Sequence, residues 1–199
     1  MENTININDK IIITGTGRAG TSLLIQLFTH LGMKTGFDPK TCDSVINNRP
    51  GHAGLERSPR DLAKDNLHIL KQPYFCGSII PYSKKYNIGH IILPIRQLKA
   101  SAKSRERVYK TGSGAGSFWN AKSYDEQVVH NAKLIYRFIY NMSQIDIPYT
   151  LLPFPQFAKD YNILYKKLRW LFDDYNISEQ TYRETMDKVV DLKKIHKFN

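Results

Sequence analysis

The residues best suited to chemistry in this chain of 199 amino acids lie together near its start, in Gly15-Thr16-Gly17-Arg18-Ala19-Gly20-Thr21-Ser22. The frame is a glycine, four residues, a second glycine, then two hydroxyl residues. Glycines at this spacing permit turns that leave backbone N–H groups pointing inward with no side chain in the way. A helix opening at Thr21 adds its own unpaired N–H groups and the positive end of its dipole. Thr21 and Ser22 offer hydroxyl hydrogen bonds, and Arg18 can reach over a bound group. The chemistry implied is the gripping of a phosphate-type anion.

Two absences narrow that anion. Thr21 stands where loops that cleave nucleoside triphosphates carry a lysine, which bridges the β- and γ-phosphates. The run His90-Ile91-Ile92-Leu93-Pro94-Ile95-Arg96 ends without the acidic residue that would hold magnesium. The expectation is a phosphate ligand held without metal.

The elements that must position these groups follow from periodicity. Lys10 to Thr14 reads as a short, β-branched, buried strand. Thr21 to Leu31 reads as a helix with Leu24, Leu27, Phe28 and Leu31 on one face, stopped by Gly32. Residues 33 to 60 hold Gly36, Pro39, Asn47, Asn48, Pro50, Gly51, Gly54 and Pro59 and are predicted to form a long functional loop. Further strands are predicted at Leu67 to Leu70, Ile88 to Ile95 and Tyr149 to Leu152. Helices are predicted at Leu98 to Tyr109, Tyr124 to Met142, Phe157 to Phe172 and Glu179 to Asp191, the last capped by Ser178. In the third-last of these, the inward stripe is Val128, Ala132, Ile135, Ile139 and Met142. Thr111 to Ser117, ahead of Phe118 and Trp119, has the make-up of a mobile flap or a plain flexible loop. Alternating strands and helices imply an α/β class: a three-layer, P-loop-like fold with a central parallel sheet and helices on both faces, in one domain over 1–199.

Composition bounds the partners. Hydrophobic residues make up 41%, enough for a globular core, and the net charge of +11 favours anionic partners. No nucleic-acid-binding module is recognisable, so no nucleic acid partner is expected. No apolar run is long enough to span a membrane, and the polar start from Met1 to Lys10 is no secretory signal, so a cytoplasmic protein is expected. Cys42 and Cys76 have no metal-ligand spacing and are expected to be reduced and idle.

On these residues the sequence resembles the sulfotransferases that use 3′-phosphoadenosine 5′-phosphosulfate (PAPS). Many members carry a loop of the form G-x-x-R-[SA]-G-T-[TS]-L after the first strand, and here Gly15 to Leu23 match it. The resemblance implies that Gly15, Thr16, Gly17, Arg18, Ala19, Gly20, Thr21 and Ser22 hold the 5′-phosphosulfate, with Arg18 on the group being transferred. It implies that Arg96 and Ser104 hold the 3′-phosphate, although Gln97 and Leu98 replace the family's acidic-proline pair. Lys71-Gln72-Pro73-Tyr74-Phe75 is similar to the family's lysine-x-proline segment beside the acceptor. Ile147 to Leu152, followed by Phe157 and Asp160, resembles its late strand. Related members use a loop glutamate as general base, which points first to Glu56 and second to His52 in Gly51-His52-Ala53-Gly54-Leu55-Glu56. The implied catalytic set is Glu56, Arg18, Lys71 and His52, with no metal. The implied partners are the nucleotide sulfate donor and a hydroxyl or amine acceptor, a carbohydrate or small molecule. An atypical P-loop kinase and a non-catalytic nucleotide- or polyanion-binding protein are the alternatives. The missing lysine and aspartate count against the first, and the charge of +11 and the altered second motif favour the other.

Overall fold

The structure, a computed structural model, describes residues 9–49, 53–112, 114 and 116–195. Four strands, β1 (Lys10–Ile13), β2 (Ile69–Lys71), β3 (Ile88–Ile95) and β4 (Tyr149–Pro153), form one parallel sheet in the order β2-β1-β3-β4. Ile11 lies opposite Ile69 on one side and His90 on the other. The α-helices of the described residues are α1 (Thr21–His30), α2 (Pro39–Asn48), α3 (Phe75–Ser78), α4 (Ile80–Ser83), α5 (Leu98–Lys110), α6 (Tyr124–Met142), α7 (Gln156–Lys159), α8 (Tyr161–Asp174) and α9 (Glu179–Val189).

Side chains alternate across the sheet and so build two cores. Ile11, Ile13, Ile92 and Leu152 face Leu24, Leu27 and Phe28 of α1, Leu164 and Leu171 of α8 and Met186 of α9. Ile12, Ile91 and Leu93 face Phe75 of α3 and Leu134 and Phe138 of α6. This is the three-layer α/β arrangement with helices on both faces. With both faces covered, β1 can be a continuous run of isoleucines, and Ile11, Ile12 and Ile13 are fully buried. Because β1 is an inner strand, the loop leaving its carboxyl end opens at the middle of the sheet edge, where such folds bind ligands.

Three expectations need correction, and one segment that carried no prediction is helical. The predicted loop over 33–60 contains α2, because Asp38 caps it by accepting from the Thr41 N–H, Pro39 fills the first turn, and Cys42 and Ile46 bury one face. The segment after β2 holds the two short helices α3 and α4, the second opened by Pro81. The helix predicted from Phe157 breaks at Asp160, whose side chain accepts from the Asn162 N–H and starts α8 afresh. The inward face of α6 is Gln127, Asn131, Leu134, Phe138 and Met142, while Ile139 is 58% exposed. Two buried amides thus take the place of the apolar residues expected there, and the site explains why.

Among the described residues no helix is long and apolar enough to cross a membrane. Cys42 and Cys76 are both free and buried. Burial pushes the Cys76 thiol up to about 12, which leaves it without a reactive thiolate near neutral pH.

Candidate active site

The loop begins where β1 ends. The Thr14 N–H donates to the Ile92 carbonyl (3.0 Å) and its hydroxyl to the Pro73 carbonyl (3.2 Å), fixing the departure point. Gly17, Arg18 and Gly20 then have φ of 73°, 57° and 86°. Two of these three are glycine because a side chain in this region is strained; Arg18 is the exception, and its backbone is held by its neighbours. Three successive carbonyls are tied down: Thr16 by Arg105 Nη2 (2.7 Å), Gly17 by Ser101 Oγ (3.2 Å) and Arg18 by Arg96 Nη1 (3.0 Å). The N–H groups of Gly17 and Ala19 meet no acceptor among the described residues.

Gly20 is required twice over. Its φ is 86°, and a Cβ there would lie 2.6 Å from Phe154 Cδ2. Gly20→Ala is expected to cost about 2–5 kcal/mol, combining left-handed strain with overpacking. Urea denaturation of the purified variant checks this.

Arg18 links Ser104 and Arg96, the first through its side chain and the second through its carbonyl. Arg18 Nε donates to Ser104 Oγ at 3.0 Å. Arg96 lies over the Phe154 ring, 5.4 Å from its centroid. Burial, then the nearby charges of Arg96 and Arg107, lower the Arg18 guanidinium from 12.5 to about 10. Burial and Arg18 do the same to Arg105, also to about 10. Burial lowers Arg96 as well. Clustered, partly desolvated cations of this kind are stabilised by an anion placed among them.

Beside this cluster, β2 ends at Lys71. Its ammonium is almost fully buried and donates to three acceptors: Gly54 O (2.5 Å), Ser22 Oγ (2.8 Å) and Glu56 Oε1 (2.9 Å). Three acceptors match the three protons of the charged form. Burial presses the Lys71 ammonium below 10.5, and Glu56 pulls it back. For Glu56, burial resists ionisation, but the Lys71 charge and hydrogen bond hold the carboxyl below its ordinary 4.5. The Glu56 side chain remains 43% exposed, so a substrate can reach it. The Ser22 hydroxyl is engaged here and faces Gly54 O at 3.4 Å.

A cavity of about 370 Å³ joins the two clusters. Gly17, Arg18, Gly20, Thr21, Ser22, Glu56, Lys71, Arg96 and Ser104 line it. Gly15, Thr16 and Ala19 of the loop are not among its lining residues. His52, the second candidate base, lies outside the described residues. Sequence reasoning missed Ser101 and Arg105; Ser104 and Arg105 follow Ser101 on α5 at spacings of three and four. It also missed Gln127 and Asn131 of α6. Gln127 Oε1 accepts from the Trp119 N–H (2.7 Å), Gln127 Nε2 donates to Asn131 Oδ1 (2.9 Å), and Asn131 Nδ2 donates to Ser101 Oγ (3.3 Å). Residues 189–191, 194 and 195, after the body of α9, supply a further wall that no motif signals. Within the expected flap, Ser117 is anchored: its carbonyl accepts from Arg105 Nη1 at 2.6 Å. Ser113 and Ala115 of that segment lie outside the described residues.

No protein-family model matches the chain, and no curated protein matches it. Solved structures do. A sulfotransferase domain from the curacin biosynthetic pathway is similar over 89% of this chain and 77% of its own, with a TM-score of 0.56 and 14% identity. The sulfotransferase STF1 from Mycobacterium tuberculosis H37Rv is similar over 96% of this chain and 74% of its own, with a TM-score of 0.52 and 14% identity. At that identity the likeness establishes a shared fold, and the chain has the fold of these sulfotransferases.

Proposed function

We propose that the protein is a sulfotransferase that moves the sulfuryl group of PAPS to an acceptor hydroxyl. The observation that carries this reading is one cavity that joins an open anion loop, the Arg18–Arg96–Ser104 cluster and the Lys71–Glu56 pair. The donor set suits a sulfated bisphosphate, since it is cationic and rich in N–H groups. The shared fold with two sulfotransferases supports it.

When bound, PAPS supplies the sulfuryl group and a bisphosphate leaving group. Arg18 and the loop N–H groups neutralise the charge around sulfur and the 5′-phosphate, and Arg96 and Ser104 serve the 3′-phosphate. Glu56, ionised and within reach of the cavity, takes the proton of the acceptor hydroxyl as its oxygen bonds to sulfur and the bond to the 5′-phosphate breaks. Lys71 orients Glu56 and adds positive charge beside the transfer. Positioning and electrostatics carry most of the rate in such transfers.

Calorimetric titration with 3′-phosphoadenosine 5′-phosphate, set against ATP with magnesium, tests the donor. The bisphosphate is expected to bind in the micromolar range or tighter, at least about tenfold better than ATP, and without magnesium. Tight ATP binding and none of the bisphosphate would sink the reading.

A further inference from the structure

The loop is built as carefully on its carbonyl side as on its open side. A trans peptide points its N–H opposite to its C=O. Pinning the carbonyls of Thr16, Gly17 and Arg18 therefore aims the N–H groups of Gly17, Arg18 and Ala19 away from the donors that pin them. Three neighbouring peptide planes are preset before any anion arrives.

Those donors are themselves held. Asn131 donates to Ser101 Oγ, which leaves the single hydroxyl proton of Ser101 for the Gly17 carbonyl. Gln127 orients Asn131, and the Trp119 N–H orients Gln127. Every donor in this chain points the same way, from Trp119 to Gly17. Ser101, Gln127 and Asn131 are fully buried, and aligned buried hydrogen bonds polarise one another. Arg105 makes a second, shorter route between the same two segments, with one nitrogen on the Ser117 carbonyl and another on the Thr16 carbonyl. Its charge on Thr16 O draws electron density from the Thr16–Gly17 peptide and makes the Gly17 N–H a stronger donor. A Cβ on Gly17 would meet Arg105 Nη2 at 2.5 Å, so the guanidinium fills the space beneath the loop.

We propose that Arg105, seconded by Ser101 and the Gln127–Asn131 amide pair, is the positioning device that presets the loop for its anion and ties it to the Ser117–Trp119 wall of the cavity. Arg105 itself lines the cavity, and it acts on the loop through backbone carbonyls. This rests on the reading of the loop as an anion cradle, but not on the identity of the nucleotide.

The test titrates inorganic sulfate and 3′-phosphoadenosine 5′-phosphate into the wild type, Arg105→Met, Arg105→Lys and Ser101→Ala, following the backbone amides of Gly17 and Ala19 by NMR. Arg105→Met is expected to weaken both ligands by about tenfold or more and to shift the Gly17 amide in the ligand-free protein. Arg105→Lys recovers part of the loss, and Ser101→Ala weakens both by about threefold to tenfold. A loss of fold stability alone would leave the two amide signals and the affinities of the folded fraction where they were. Unchanged sulfate affinity in Arg105→Met, with unshifted amides, overturns the proposal. If that variant does not fold, the same result in Ser101→Ala overturns it. Sulfate binding that is sensitive to Arg105, without bisphosphate binding, would sink the PAPS reading and leave this one standing. A wild-type loop that binds neither ligand removes both.

Discussion

Arg18→Gly is expected to fold as well as the wild type while losing sulfuryl transfer by about 10³-fold or more. The two halves of that result have separate causes. Arg18 holds a φ of 57°, where a side chain is strained and glycine is not. Glycine therefore relieves backbone strain and offsets the loss of the hydrogen bond from Arg18 Nε to Ser104. In the proposed mechanism the guanidinium beside the transferred group is gone, and with it positive charge that stabilises the departing phosphate. Arg18→Lys keeps a charge but not the fork, and should fall between the two. Thermal melts alongside transfer assays with radiolabelled PAPS check both halves. A variant with near wild-type kcat would remove Arg18 from the mechanism.

Glu56→Gln should reduce kcat by about 10²–10⁴-fold and leave bisphosphate affinity within about twofold. The amide keeps the shape of the carboxylate and can still accept from Lys71, but it takes no proton. The pH profile gives an independent reading. Glu56 is held below its ordinary 4.5 against the resistance of burial, chiefly by Lys71. Its ionised, proton-accepting form therefore persists as pH falls from neutral through the usual carboxylate range. The stability contributed by the Glu56–Lys71 pair behaves likewise, present above the ordinary carboxylate value and lost only as pH drops through the lowered one. The acid limb of kcat/KM should lie below pH 4.5. An acid limb nearer neutrality, unchanged in Glu56→Gln, would assign the base elsewhere.

How much of this was legible beforehand follows from what each residue's role depends on. The turn itself could be read because its conformation is written in local backbone freedom, glycines at fixed spacing between an apolar strand and a helix start. Arg96 and Ser104 were named through the resemblance to the family's second motif, and both line the cavity. The four strands and the sheet class followed from β-branched runs alternating with helical ones. The helix α2 was obscured because Pro39, Asn47 and Asn48 carry the composition of a turn, although Asp38 and Pro39 are also the start signals of a helix. The inward face of α6 was misjudged because periodicity counts apolar residues, whereas Gln127 and Asn131 are buried for their hydrogen bonds. Arg105 stood beside Ser104 in plain view, yet its role lies in carbonyls far off in the chain. The wall from 189 to 195 depends on how α9 packs against α1, which no local pattern encodes.

The strand order carries a consequence for how the chain comes off the ribosome. β1 is synthesised before β2 and β3, yet it is sandwiched between them, and its three isoleucines are fully buried in the finished molecule. Until Ile88–Ile95 has emerged, β1 has a bare edge and the loop beyond it lacks Arg96, Ser101 and Arg105 to hold its peptides. Parallel sheets closed by such distant partners fold slowly and leave sticky edges exposed meanwhile. Overproduction in a heterologous host should therefore gain soluble yield from slower translation and lower temperature more than from any change to the surface charge.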